Sequence, residues 1–91
     1  MQYQRSAGVE AAPLQNETVL YHAESHQFCV LNETAAFLWG LLETAHSPEE
    51  LATELCAGFE GVDDATARQD VAATLKEFEE LGMIAQVAAV D

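Results

Sequence analysis

Positive charge is what this sequence has least of: three Lys and Arg stand against sixteen Asp and Glu, a formal charge of −13. Such a field repels phosphate backbones and anionic lipid surfaces, which argues against nucleic acid and membrane as partners. Most of the carboxylates are accounted for as solvated surface, and the sharper reading is a complement to a basic peptide or enzyme face. Long apolar runs are missing too. The longest nearly apolar stretch, 35–42, is far too short to span a bilayer, and "MQYQRSAGVE" lacks the charged and then apolar segments of a secretory signal. Cysteine is scarce: Cys29 and Cys56 lie too far apart for a CxxC motif and read as reduced thiols, small buried hydrophobes in a cytoplasmic protein.

The usual marks of catalysis are absent as well. There is no Gly-rich phosphate loop and no Ser-centred elbow. His22, His26 and Cys29 fall close together, but strand and turn spacing does not converge them, no fourth ligand is apparent, and zinc-motif spacings are lacking. A thiol in an apolar strand is inert, because burial disfavours the thiolate. The expectation is a chain that is not an enzyme and takes no cofactor or metal.

What remains is a globular composition, 49% apolar over 91 residues, enough for one small core. "VEAAPL", "ETVLYH" and "QFCVL" read as short strands separated by polar turns, an antiparallel meander whose first strand Pro13 confines to an edge or bulge. Asn32 then caps a helix in which Phe37, Leu38, Leu41 and Leu42 recur at helical spacing with Trp39 on the flank. "SPEE" opens a second helix with Ser47 as N-cap, Pro48 at the first position and Glu50 closing a capping box. Leu51, Ala52, Leu55 and Cys56 form its inner stripe, and Gly58 stops it as a C′ glycine. Asp63 caps a third helix whose buried face is Val71, Leu75, Phe78 and Leu81, with Gly82 as its stop.

The expected architecture is α+β: an N-terminal three-stranded antiparallel sheet followed by three helices, in a winged helix-turn-helix-like layout. Residues 1–6 are expected to be loose, 7–85 to form a single domain, and 86–91 to be a C-terminal tail. DNA binding by such an outline needs cations on its third helix, where Arg68 and Lys76 face Asp64, Asp70, Glu77, Glu79 and Glu80.

The segments "VLYHAESHQFCVLNETAAFLWGLL", "SPEELATEL" and "DVAATLKEFEELGMI" resemble the PqqD family over nearly the whole chain, from about Val9 to Ile84. The match is most specific at Leu31–Asn32 leading into a helix with Trp39, and at Asp70, Val71, Leu75, Gly82, Met83 and Ile84. It departs from the family at Thr44–Ala45, where a glycine is common, and at Thr74, where many relatives have an aromatic residue. The resemblance implies a non-catalytic peptide chaperone, or RiPP recognition element. Such proteins capture the leader of a precursor peptide and present it to a modifying enzyme, often a radical SAM protein, in pathways such as PQQ biosynthesis.

It further implies that the leader adds as a strand beside Gln27, Phe28, Cys29, Val30 and Leu31, over a groove floored by the third helix around Arg68, Val71, Ala72 and Leu75. Arg68 and Lys76 are the expected partners of acidic leader positions. Which face of the third strand meets the peptide, and whether the chain is a monomer or dimer, stay open in the sequence. The alternative is a winged-helix regulatory or structural domain that binds a partner protein without leader capture.

Overall fold

A computed structural model describes residues 1–15 and 17–87. In chain order the elements are β1 (Gln2–Arg5), β2 (Val9–Leu14), β3 (Glu17–His22), β4 (Gln27–Leu31), α1 (Glu33–Leu41), α2 (Pro48–Gly58), α3 (Asp64–Glu80) and β5 (Ile84–Val87). The expected three-stranded antiparallel sheet is present in the order β2-β3-β4, and the three helices follow it.

A second sheet was not anticipated: β1 pairs antiparallel with β5, from Gln2 opposite Val87 to Arg5 opposite Ile84. Residues 1–6, expected to be loose, therefore contain a strand, and 86–87 of the expected tail belong to its partner; 88–91 lie outside the described residues. The reason is visible at the end of α1, whose last carbonyls have no partner within the helix. Arg5 donates from Nε to the Trp39 carbonyl at 2.9 Å and from its backbone N–H to the Leu42 carbonyl at 3.0 Å. Its guanidinium also stands 4.7 Å from the centre of the Trp39 ring. An arginine remote in sequence thus does what a basic residue in the last helical turn would do.

The three helix starts form as their capping residues dictate. Asn32 accepts from the Ala35 N–H at 2.8 Å, Ser47 and Glu50 close a reciprocal capping box, and Asp63 accepts from the Thr66 N–H at 2.7 Å. Two glycines act differently from each other. Gly82, at φ +71°, closes α3 in a Schellman arrangement in which Gly82 N–H bonds the Glu79 carbonyl and Met83 N–H the Phe78 carbonyl. Gly58, expected as a C′ stop, is instead the last helical residue, and a Cβ there would come within 2.9 Å of the Phe37 ring. Its value is close approach rather than a left-handed turn.

The core is the inner face of all these elements: Leu20, Cys29 and Leu31 from the sheet, Leu38, Trp39 and Leu42 from α1, Leu51 and Leu55 from α2, Val71, Leu75 and Phe78 from α3, and Met83 and Ile84 beyond it. Trp39 lies edge-on to Phe78 with ring centres 5.6 Å apart, so it is core packing. Burying each large aliphatic side chain stabilises the fold by about 1.5–3 kcal/mol. No helix is long and apolar enough to cross a membrane among the described residues.

Candidate functional site

Strand β4 ends the sheet, so one side of its backbone has no strand beside it. Which residues face that side follows from the register. Ala23 donates to the Gly8 carbonyl at 3.1 Å, just beyond the Val9–His22 pair. Antiparallel pairs alternate between bonded and non-bonded, so Glu17, Val19 and Tyr21 bond toward β2, and Thr18, Leu20 and His22 bond toward β4. Their β4 partners are Leu31, Cys29 and Gln27. The N–H and C=O groups of Phe28 and Val30 therefore point out along the open edge, and no described residue bonds them there.

The side chains follow the same parity. Cys29 and Leu31 are buried, while Phe28 and Val30 are 65% and 59% exposed. Phe28 and Val30 stand on the outer surface of the sheet, where Phe28 packs on Tyr21 with ring centres 4.8 Å apart. The turn before β4 is closed by hydrogen bonds. His26 takes φ +59°, its N–H bonds the His22 carbonyl at 2.9 Å, and its Nδ1 is 2.8 Å from the Tyr21 hydroxyl. His22 is buried and its Nδ1 accepts from the Glu24 N–H at 3.2 Å, so both histidines serve the turn.

Across the inner side of β4 runs α3. A hollow between the start of α1, just past β4, and α3 is lined by Asn32, Thr34, Asp70, Ala73, Thr74 and Glu77. A second hollow, on the outer side of the same strand end, is lined by Glu17, Val30, Leu31, Asn32 and Glu33. Cys29 Sγ lies 3.6 Å from a Glu77 carboxylate oxygen, joining β4 to α3. Burial, then the Glu77 charge, pushes the Cys29 thiol up to about 11, so it stays protonated and unreactive at neutral pH.

The α3 residues expected to floor the groove fall on more than one face of the helix. Val71 and Leu75 are core, 1% and 4% exposed. Arg68 and Ala72 are exposed, but at roughly 100° per residue they lie about opposite the Asp70, Ala73, Thr74 and Glu77 face. Arg68 is paired with Asp64 at 2.9 Å, which raises its pKa, and also feels Glu49 and Cys56 of α2. Lys76 is exposed about 100° round the helix from the hollow. The apolar stripe of a helix identifies what the core takes. Glu77, which meets Cys29 of β4, belongs to the next face round, whose small and polar residues carry no such periodic signal.

The family model described as Coenzyme PQQ synthesis protein D (PqqD) matches residues 17–84, from the start of β3 to the start of β5. Two solved structures are similar. One is described as lasso peptide synthetase B1 complexed with the leader peptide: it is 28% identical, the match covers 94% of this chain and 100% of that one, and the TM-score is 0.78. The other is TbiB1 in complex with the TbiA(beta) leader peptide: 27% identical, 94% and 99% covered, TM-score 0.79. No curated protein sequence matches the chain.

Proposed function

The chain belongs to the PqqD family, and from that premise we propose that it captures the leader of a ribosomally made precursor peptide as an added strand on β4. It then presents that peptide to a modifying enzyme, of radical SAM or another type, without chemistry of its own. The observation that carries this reading is the outward backbone of Phe28 and Val30 at an unpaired edge. Strand addition draws its affinity from such groups and its selectivity from the surfaces on either side.

Those surfaces are unlike each other. Leader side chains on the outer face would lie along Phe28 and Val30; those on the inner face would enter the hollow of Asp70, Ala73, Thr74 and Glu77. The binding set is then Gln27–Leu31 with that α3 face, in place of Arg68, Val71, Ala72, Leu75 and Lys76. We read the α2–α3 pair beside the β2–β4 sheet as a winged helix-turn-helix arrangement used on peptide. Free cysteines suit a reducing compartment, which we take to be the cytoplasm. The similar structures support the reading, since those proteins are described with leader peptides bound.

The test is a ¹⁵N HSQC titration with the leader of the precursor encoded beside this protein. Shifts are expected at 27–31 and 70–77, with α2 and the β1–β5 pair silent. Shifts confined to α2 or to β1–β5 would overturn strand capture at β4.

A further inference from the structure

Among the described residues the exposed large hydrophobics are Met1, Phe28 and Val30, so two of the three stand on one face of β4. The strand "QFCVL" carries no charge, and the outward N–H and C=O groups of Phe28 and Val30 have no partner among the described residues. Edge strands are commonly blunted by a charge, a proline or a bulge, and β4 has none of these. Its unused groups are also self-complementary. Two β4 strands related by a two-fold axis at Cys29 oppose Phe28 of each copy to Val30 of the other, and both residues of such a pair have outward groups. The neighbouring registers are poorer. An axis at Phe28 calls on the N–H of His26, which already bonds the His22 carbonyl at 2.9 Å; an axis at Val30 calls on the carbonyl of Asn32, which already accepts from the Ala36 N–H at 2.9 Å as α1 leaves the sheet. The axis at Cys29 alone opposes the whole strand, from Gln27 to Leu31, to itself.

We infer that β4 pairs antiparallel with β4 of a second copy, joining two β2-β3-β4 sheets into one and covering the open edge until a leader displaces it. On the outer face each Phe28 then lies across from Val30 of the other copy, an aromatic and β-branched pair of the kind that steadies antiparallel strands. The self-pairing stands on the edge geometry; its role as a cover rests on strand capture at β4. The association is weak by construction. A ladder of one short strand from each copy buries less than the roughly 1,200 Å² of stable complexes, and the −13 charge of each copy opposes it. Glu77, whose carboxylate oxygen lies 3.6 Å from Cys29 Sγ, brings a further negative charge toward the axis from each side. A weak cover is one a peptide can displace, since the leader competes for the same backbone groups and brings no second domain of like charge.

The test is sedimentation equilibrium with a ¹⁵N HSQC dilution series on the whole chain, without leader, from about 1 mM to about 10 µM and at about 0.05 M and about 0.5 M NaCl. The expected result is a reversible dimer whose concentration-dependent shifts fall at 27–31, tighter by at least roughly threefold at the higher salt. In a sample mixing labelled and unlabelled chains, the Phe28 ring should show contacts to the Val30 methyls of the other copy. Val30→Pro takes one donor from each bonded pair and should weaken the dimer at least roughly tenfold. The leader of the precursor encoded beside this protein should convert the dimer to a one-to-one complex. A monomer at every concentration and salt, a dimer whose shifts fall on β2 or on β1 and β5, or one that Val30→Pro leaves unchanged would overturn the inference. Strand capture is decided separately, by leader shifts at 27–31 in the dilute chain. A β4-paired dimer that persists in saturating leader would overturn the cover and strand capture together, while the self-pairing stands.

Discussion

The two edges of the β2-β3-β4 sheet are built oppositely. By the alternation that points Phe28 and Val30 outward on β4, the outward residues on β2 are Val9, Ala11 and Pro13. At Pro13 the group directed to solvent is a ring nitrogen with no hydrogen, so that edge cannot template a full ladder. On β4 every outward position keeps its N–H, and the side chains there are the large exposed hydrophobics Phe28 and Val30. One sheet thus carries a closed edge and an available one. An exposed edge that is neither charged nor interrupted is a ready template for a partner strand.

Four substitutions break or sharpen that contrast. The largest effect is expected from Val30→Pro: its N–H faces the open edge, so the fold tolerates the change while the added strand loses a donor. Leader affinity should fall by about a hundredfold or more with helical circular dichroism unchanged, as isothermal titration would show. Unaltered affinity would place the peptide elsewhere. Next is Pro13→Val, which restores a donor to the closed edge. Sedimentation analysis should detect stronger concentration-dependent self-association than in wild type, with leader affinity retained.

Arg5→Ala acts far from both edges. Losing the Trp39 carbonyl bond and ring contact should cost about 1–2 kcal/mol, and Tm should fall by about 4–8 °C for each kcal/mol in a thermal melt. Leader affinity at 20 °C should stay as it was. The smallest effect concerns the thiol of β4. Because Cys29 titrates at about 11 when folded and near 9.0 otherwise, the folded chain holds that proton longer. The stability this confers is complete below pH 9 and is lost as pH rises toward 11. Glu77→Gln removes the neighbouring charge, so alkylation of Cys29 at pH 9 should quicken, read by mass spectrometry against Cys56.

Much of the fold was legible because its signals are local. Asn32, Ser47 with Pro48 and Glu50, and Asp63 announce helix starts through a side-chain oxygen and a nearby N–H, and each is found doing so. The β1–β5 pair was not legible. "QYQR" has no apolar alternation, and its partner lies at the other end of the chain, so nothing near either segment marks the pairing. At the candidate site the choice of β4 came from the resemblance to the PqqD family and not from periodicity, and the sequence could not say which α3 residues meet that strand. Periodicity distinguishes inside from outside on a helix, but choosing between its two flanks needs the direction in which α3 crosses β4.

The unanticipated β1–β5 ladder has a practical meaning for anyone building with this protein. Gln2 and Val87 are directly opposed, so their Cα atoms are separated by about 4.5–5.5 Å, the spacing of antiparallel partners. The described chain therefore starts and finishes at one spot, like a loop pinched shut. A short linker suffices to join those points and reopen the chain at an exposed turn such as Glu60–Gly61 between α2 and α3, and the module can be spliced into the surface loop of a host enzyme without stretching either junction.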